Sequence, residues 1–295
     1  MKNFTITALI VLSALGHAQA ATPACDSKCL NGLMDRYLAQ LVKHDPKPLA
    51  VVANVIAVEN GKLTKLGEGA WQTIKDLPVP GHTFSDTMTG QVVHYNAITT
   101  ADGKSGSLYV RLKVLNKQIA ESEIFMRAAG SEGGTAGVGL LEPDILYTAA
   151  VPEARRSSRA KLLKIVDLYM DGISQHNGAL FPAGPRCDRY QAGNKFTNVP
   201  ELFNRGGGTC QSSLMGLTGQ AIVNRRFPVV DEALGIVAVH FVIPHGERPK
   251  PGATNVAEVF KIVDGKVRSI EEFSFGGGFP ASSGFADEPS PVHEH

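Results

Sequence analysis

Apolar residues recur at helical spacing in two places along the chain. Leu30, Leu33, Met34, Tyr37 and Leu41 stand at i, i+3, i+4, i+7 and i+11, and so do Leu162, Ile165, Val166, Tyr169 and Ile173. This spacing marks one face of an α-helix and predicts helices over 28–43 and 159–175. The two stripes are one pattern written twice. From 30–61 to 162–193 the chain repeats without a gap at an offset of 132 positions: Asp35 meets Asp167, Tyr37 meets Tyr169, His44 meets His176 and Gly61 meets Gly193.

After each helix the pattern changes to strands. In the first copy a strand over 51–58 turns at Glu59-Asn60-Gly61 into a return over 62–66. Three long antiparallel strands follow at 90–99, 107–115 and 118–127, with turns at Asp102-Gly103 and Asn116-Lys117. The second copy reads as a strand over 186–191, a long loop over 193–209, a short helix near Cys210, and strands near 222–230, 235–243, 255–263 and 266–275. The closing hairpins also match, 112–125 against 260–273, now at an offset of 148, so the second copy has gained 16 residues. The expected organisation is a first domain at 25–129, a Gly- and Pro-rich linker at 130–154 crossing the surface, a second domain at 155–276 and a flexible tail at 277–295. A helix laid across a curved antiparallel sheet makes a cone, so the expected class is α+β with two tandem cone-shaped domains. Strands apolar on both faces, such as GIVAVHFVI at 235–243, would follow if the two copies pair within the chain through the outer faces of their sheets.

Composition adds a destination. Lys2, an apolar stretch at 4–15 and Ala18-Gln19-Ala20 read as a secretory signal peptide over 1–20, with a mature chain beginning at Ala21 and exported to periplasm or medium. The apolar run is too short for a membrane span, no second run follows, and Ala21 rather than a cysteine stands directly after the cleavage site, so no stable membrane anchor is expected. A net charge of +1 with scattered basic residues gives no nucleic-acid signal; the cluster Arg155, Arg156, Arg159 and Lys161 reads as a solvated helix start. Four cysteines in an exported chain point to disulfides, with three possible connectivities. The favoured one joins Cys187 to Cys210 across the Gly/Asn-rich loop and leaves Cys25 with Cys29; a zinc site is the competing reading, but the spacings match no standard zinc pattern.

Particular stretches carry a resemblance: HDPKPL, ENG and GEGAW in the first half, and VPEARRSSRAKLL, CDRYQAGN, RRFPVVDEALG and VFKIVDGKV in the second. With the element plan they resemble the nuclear transport factor 2-like cone fold of ketosteroid isomerases, scytalone dehydratase, limonene-epoxide hydrolase and the SnoaL-like polyketide cyclases. More closely, nearly the whole mature chain resembles a secreted, two-copy fungal and bacterial family known only as a domain of unknown function. The resemblance implies a pocket between helix and sheet that takes a small apolar or aromatic molecule.

It also implies a catalytic aspartate on the first strand of the cone, which here is Asp188. A carboxylate in an apolar pocket has a raised pKa and can move a proton near neutrality. Its counterpart in the first copy is Ile56, which points to the second cone as the chemical half. The alternative is that Asp188 pairs with Arg189 or another arginine as a structural ion pair. His240, mid-strand among Val239 and Phe241, and Arg226 are candidate partners for Asp188; a core histidine, and an arginine bracing Asp231 or Glu232, are the alternatives. Trp71, Arg111 and Tyr169 are candidates to line pockets, with one of the neighbours His94 and Tyr95, which point to opposite faces. No G-x-S-x-G, H-E-x-x-H or G-x-G-x-x-G pattern occurs, so no metal, nucleotide or flavin is called for. The triple glycine 206–208 is a weak anion-binding candidate against a flexible loop. Two functions remain open: a cofactor-free lyase, dehydratase or isomerase, and a non-catalytic ligand-binding or interaction module.

Overall fold

The computed structural model describes residues 25–130, 145–200, 208–216, 221–244, 252–279 and residue 285. The signal-peptide expectation at 1–20, most of the linker, and most of the tail lie outside these residues. The first copy runs α1 (Ser27–Val42), β1 (Val51–Glu59), β2 (Lys62–Thr64), α2 (Ala70–Thr73), β3 (Ile74–Asp76), β4 (His82–Asp86), β5 (Gln91–Thr100), β6 (Ser105–Leu115) and β7 (Gln118–Ala128). A short α3 (Ile145–Thr148) leads to the second copy: α4 (Arg159–Ser174), β8 (Ala183–Gln191), β9 (Asn194–Lys195), β10 (Val223–Asp231), β11 (Ile236–Pro244), β12 (Ala253–Val263) and β13 (Lys266–Phe279).

The repeat extends to backbone detail. Asp26 caps α1 by accepting from the Cys29 amide, and Ser158, 132 positions on, caps α4 by accepting from the Lys161 amide. His44 and His176 both take positive φ, 58° and 50°, just past their helices. Asn60-Gly61 and Ala192-Gly193 both take two successive positive φ values, as do Asn116-Lys117 and Asp264-Gly265. These are the left-handed turns that match the twist of a hairpin.

The protein is α+β, two tandem cones, each an N-terminal helix packed on a curved sheet. The sheets hold seven and six strands, in orders β2-β1-β7-β6-β5-β3, with β4 also on β5, and β10-β11-β12-β13-β8-β9. Most pairs are antiparallel as expected. In each sheet, however, the first long strand lies parallel to the last: β1 on β7 and β8 on β13. Parallel neighbours need a long connection, and here the rest of the copy supplies it. The short α2, β3 and β4 were not expected from the sequence.

Three apolar layers hold this plan together. Leu30, Leu33, Met34, Tyr37 and Leu41 of α1 pack on the inner face of the first sheet, and Leu162, Ile165, Val166, Tyr169 and Ile173 of α4 on that of the second. Each such aliphatic side chain contributes about 1.5–3 kcal/mol relative to exposure. The third layer, with Phe84, Tyr95, Tyr109, Phe125, Val229, Ala238, Val259 and Phe273, lies between the outer faces of the two sheets. Tyr147, at the end of the expected linker, is buried in this layer and donates to Ser269 Oγ at 2.9 Å, so this part of the connection is core and not surface.

Within the third layer sits a buried carboxylate, Glu123, with no exposed side-chain area. Arg111, its cross-strand neighbour, donates from Nε to Oε2 at 2.7 Å. Arg226 of the second copy donates from Nη2 to Oε1 at 2.6 Å and from Nη1 to Oε2 at 3.1 Å. Burial works against the charge, but Arg226, His240 and Arg111 together hold the carboxyl well below its usual range. At the rim, Arg159 meets Asp86 at 2.6 Å, and Thr89 donates to the Pro228 carbonyl at 2.9 Å.

Removing one partner of such a cluster strands the others. Glu123→Ala is expected to cost about 3–5 kcal/mol in urea denaturation. The double variant Glu123→Gln/Arg226→Met should recover part of that loss. A single-variant cost below about 1 kcal/mol would contradict this account of the interface.

Candidate functional site

Alternation along β8 decides which side chains face α4. Cys187 is buried in the second core and bonded to Cys210, with an S–S distance of 2.04 Å. Cys25 and Cys29 form the other disulfide. With Cys187 inward, Arg189 is inward too and Asp188 is outward. Asp188 Oδ1 accepts from Asn198 Nδ2 at 2.8 Å and pairs with Lys195 Nζ at 3.0 Å. The expectation that Asp188 enters the cone is therefore corrected: the disulfide sets the opposite parity. Its counterpart Ile56 is likewise outward, 42% exposed.

The inward positions of the second cone hold an ionisable cluster that the sequence reading missed. Glu258 on β12 and Glu272 on β13 are direct cross-strand partners. Arg189 on β8 pairs through Nη2 with Glu272 Oε2. Tyr169 on α4 donates its hydroxyl to Glu258 Oε1 at 2.9 Å. Burial pushes the Glu258 carboxyl up to about 8; Glu272 adds to the rise, while Arg189 and the Tyr169 hydrogen bond oppose it. Burial disfavours the Arg189 charge, but Glu272, Tyr169 and Glu258 more than compensate and raise its pKa. Two buried polar atoms here have no hydrogen-bond partner among the described residues, Glu258 Oε2 and Arg189 Nε. With Oε1 accepting from Tyr169, the proton of the neutral carboxyl belongs on Oε2. Both orphans are then donors, and a buried donor left unpaired calls for an acceptor.

The first cone answers the same positions with hydrocarbon. Val110 pairs with Ile124 where Glu258 pairs with Glu272, and Ala57 pairs with Ser122 where Arg189 pairs with Ile270. Tyr37, the counterpart of Tyr169, meets Ser122 Oγ at 2.7 Å and accepts from Trp71 Nε1 at 3.2 Å. Trp71 is 2% exposed and fills the interior as a core residue.

The other predicted residues fall outside the second cone. His240 and Arg226 do not meet Asp188; they face the first sheet and belong to the Glu123 cluster. Burial lowers His240 to about 4, against the pull of Glu123. A neutral ring fits the network with Nδ1–H directed to Glu123 Oε2 at 3.3 Å and Nε2 accepting from the Tyr109 hydroxyl at 2.9 Å. Arg111 is part of the same cluster, also bonding Glu121 and Gln91, and is not a pocket residue. The Phe285 ring lies over both guanidiniums, 4.6 Å from Arg111 and 5.4 Å from Arg226. Tyr95 lies between the sheets, its ring 5.2 Å from Phe273. His94 faces the helix side, accepts or donates to Thr83 Oγ1 at 2.9 Å, and burial lowers it to about 3. Of the predicted pocket residues, Tyr169 alone joins the ionisable cluster. A surface cavity of about 290 Å³, lined by Thr73, Thr100, Asp102, Lys104 and Met126 among others, lies in the first copy and shares no residue with it.

The family described as "Domain of unknown function (DUF8021)" matches residues 155–274, the stretch that holds this cluster. One solved structure with similarity is a protein of unknown function with a cystatin-like fold from Methylobium petroleophilum PM1. It shares 18% identity at a TM-score of 0.33, over 41% of this chain and 80% of that one. No curated protein matches.

A carboxyl that keeps its proton only when folded gives a signed pH dependence. The unfolded value for Glu258 and Glu271 is 4.5, and burial raises each to about 8 in the fold. Between these values the folded chain holds protons that the unfolded chain has released, so stability falls as pH rises through the window. Each group contributes at most about 1.4 kcal/mol per pH unit. Urea midpoints at pH 5 and pH 8 should therefore differ more for the unaltered protein than for Glu258→Gln. Equal differences would show that Glu258 ionises normally.

Proposed function

We propose that the second cone binds a small, largely apolar or aromatic molecule through one oxygen, and acts on it as a cofactor-free isomerase, dehydratase or lyase. The observation behind this reading is a pair of buried polar atoms with no hydrogen-bond partner among the described residues, Glu258 Oε2 and Arg189 Nε, in a cone whose interior is otherwise lined by apolar side chains. If Glu258 gives its proton and Arg189 its Nε–H to the same acceptor, a carbonyl suits that role, and suits it more as charge grows on its oxygen. Glu272, opposite Glu258, is the carboxylate that takes a proton from the carbon beside that carbonyl. The C–H electron pair then forms the C=C bond of an enolate, whose oxygen Glu258 and Arg189 hold. Where a second C=C is conjugated with the enolate, returning the proton to its far carbon as the C=O re-forms completes an isomerisation; where the β-carbon carries a substituent, re-forming the C=O while that substituent leaves with its bonding pair completes an elimination. The first cone, with Val110 and Ile124 at these positions, has a structural part in this reading. The export expectation fits two disulfides and the absence, among the described residues, of a helix long and apolar enough to cross a membrane.

A phenolate imitates the enolate and needs no knowledge of the substrate. At pH 6, 4-nitrophenol is expected to bind the full-length protein in its ionised, longer-wavelength form. Glu258→Gln and Arg189→Met should each weaken that binding at least about tenfold, in line with losing a charge-assisted bond. Binding that is absent, or unchanged in both variants, would leave the chain as a non-catalytic module.

A further inference from the structure

Arg189 is held and covered by one short segment. Its amide donates to Thr197 Oγ1 at 2.7 Å, and its carbonyl accepts from the Phe196 amide at 2.8 Å. The half-buried Phe196 ring lies over the guanidinium, 5.3 Å from Cζ to the ring centre. The segment is pinned just beyond. Asn198, at φ 55°, donates from Nδ2 both to the Cys187 carbonyl and to Asp188 Oδ1, each at 2.8 Å. Its amide donates to the Gly208 carbonyl at 2.8 Å, two residues before Cys210 returns the chain to Cys187.

From this arrangement we infer that Phe196 is the gate and selectivity residue of the second cone, covering Arg189, and that Asp188 and Asn198 are positioning residues that hold it there. The inference rests on the proposed use of Arg189 as an oxygen-binding group. An aromatic ring over a guanidinium stabilises the cation and shields it from water. A planar, conjugated molecule can lie edge-on or stacked against this half-buried ring. A bulky saturated one must displace the ring first. Asp188 then has a use without entering the cone: its carboxylate, with Lys195 alongside, fixes the asparagine that fixes the loop.

Phenylglyoxal reacts with accessible guanidiniums and needs no ligand, so labelling of the full-length protein, read by peptide mass spectrometry, separates this inference from the proposed chemistry. Arg155, half exposed, serves as the reactive reference, and Arg111, buried between the sheets, reports that the fold is intact. In the unaltered protein Arg189 should label far more slowly than Arg155. Phe196→Ala should speed Arg189 labelling at least about tenfold while Arg111 stays protected. Asp188→Ala should do the same to a lesser degree. Asp188→Asn, which keeps an oxygen to accept from Asn198, should stay close to the unaltered rate, an outcome that a purely electrostatic role for Asp188 would not give. If Phe196→Ala unfolds and exposes Arg111, Asp188→Ala decides, because it removes no core side chain. Arg189 labelling unchanged while Arg111 is protected overturns the gate, whether or not 4-nitrophenol binds.

Discussion

A carboxylate buried between two sheets must have cations beside it, and Glu123 takes one from each half of the chain. Desolvating a carboxylate costs several kcal/mol, so the position is tolerable only with both arginines in place. This ties the relative placement of the two cones to a few directional bonds. The surrounding apolar layer supplies most of the attraction, yet hydrophobic contact is non-directional and allows sliding. Arg111 and Arg226 do not. His240 and Tyr109 extend the network and leave Glu123 no unmatched oxygen.

Two copies of one backbone have taken opposite interiors. Capping, left-handed turns and the register of the closing hairpins agree from one copy to the other, so at these matched positions the difference lies in the inward side chains. In the first cone Val110, Ile124 and Trp71 belong to an apolar core. In the second, Glu258, Glu272, Arg189 and Tyr169 crowd charge into the same volume. Such a cluster opposes folding unless something is gained, and the first copy shows that the fold does without it. This contrast within one chain is a better pointer to chemistry than any single residue of either half.

Much of this was legible beforehand. The helical stripes placed α1 and α4 to within a residue or two, and the repeat located the hairpins because Asn60-Gly61 and Asp264-Gly265 demand positive φ. The strands β3 and β4 were missed because they are short and carry His82, Thr83 and Ser85, whose alternation is weak beside Pro80 and Gly81. Asp188 was misplaced by one residue of parity. The signal was available: Cys187, expected in a bridge to Cys210, belongs in the core, and its neighbour must then face away. Glu258 and Glu272 were also within reach: Glu272 stands against Ile124 within the matched hairpins, and extending the 148-residue offset by two positions sets Glu258 against Val110. The full Glu123 cluster was not, because Arg226 and His240 reach it only when the two sheets pack.

Time enters through the same residue. Glu123 and Arg226 are separated by 103 positions, and all of α4 lies between them. A growing chain therefore completes the backbone of its first cone well before the second cation exists. Until then the outer face of that cone carries an apolar layer and a carboxylate with half its partners, and it stays open to water, which solvates the charge. Closing that face with its full set of partners can follow only the emergence of β10, and the apolar layer is complete only once β13 has followed. The N-terminal half is thus a waiting surface during synthesis, kept from premature burial by the charge that later locks it.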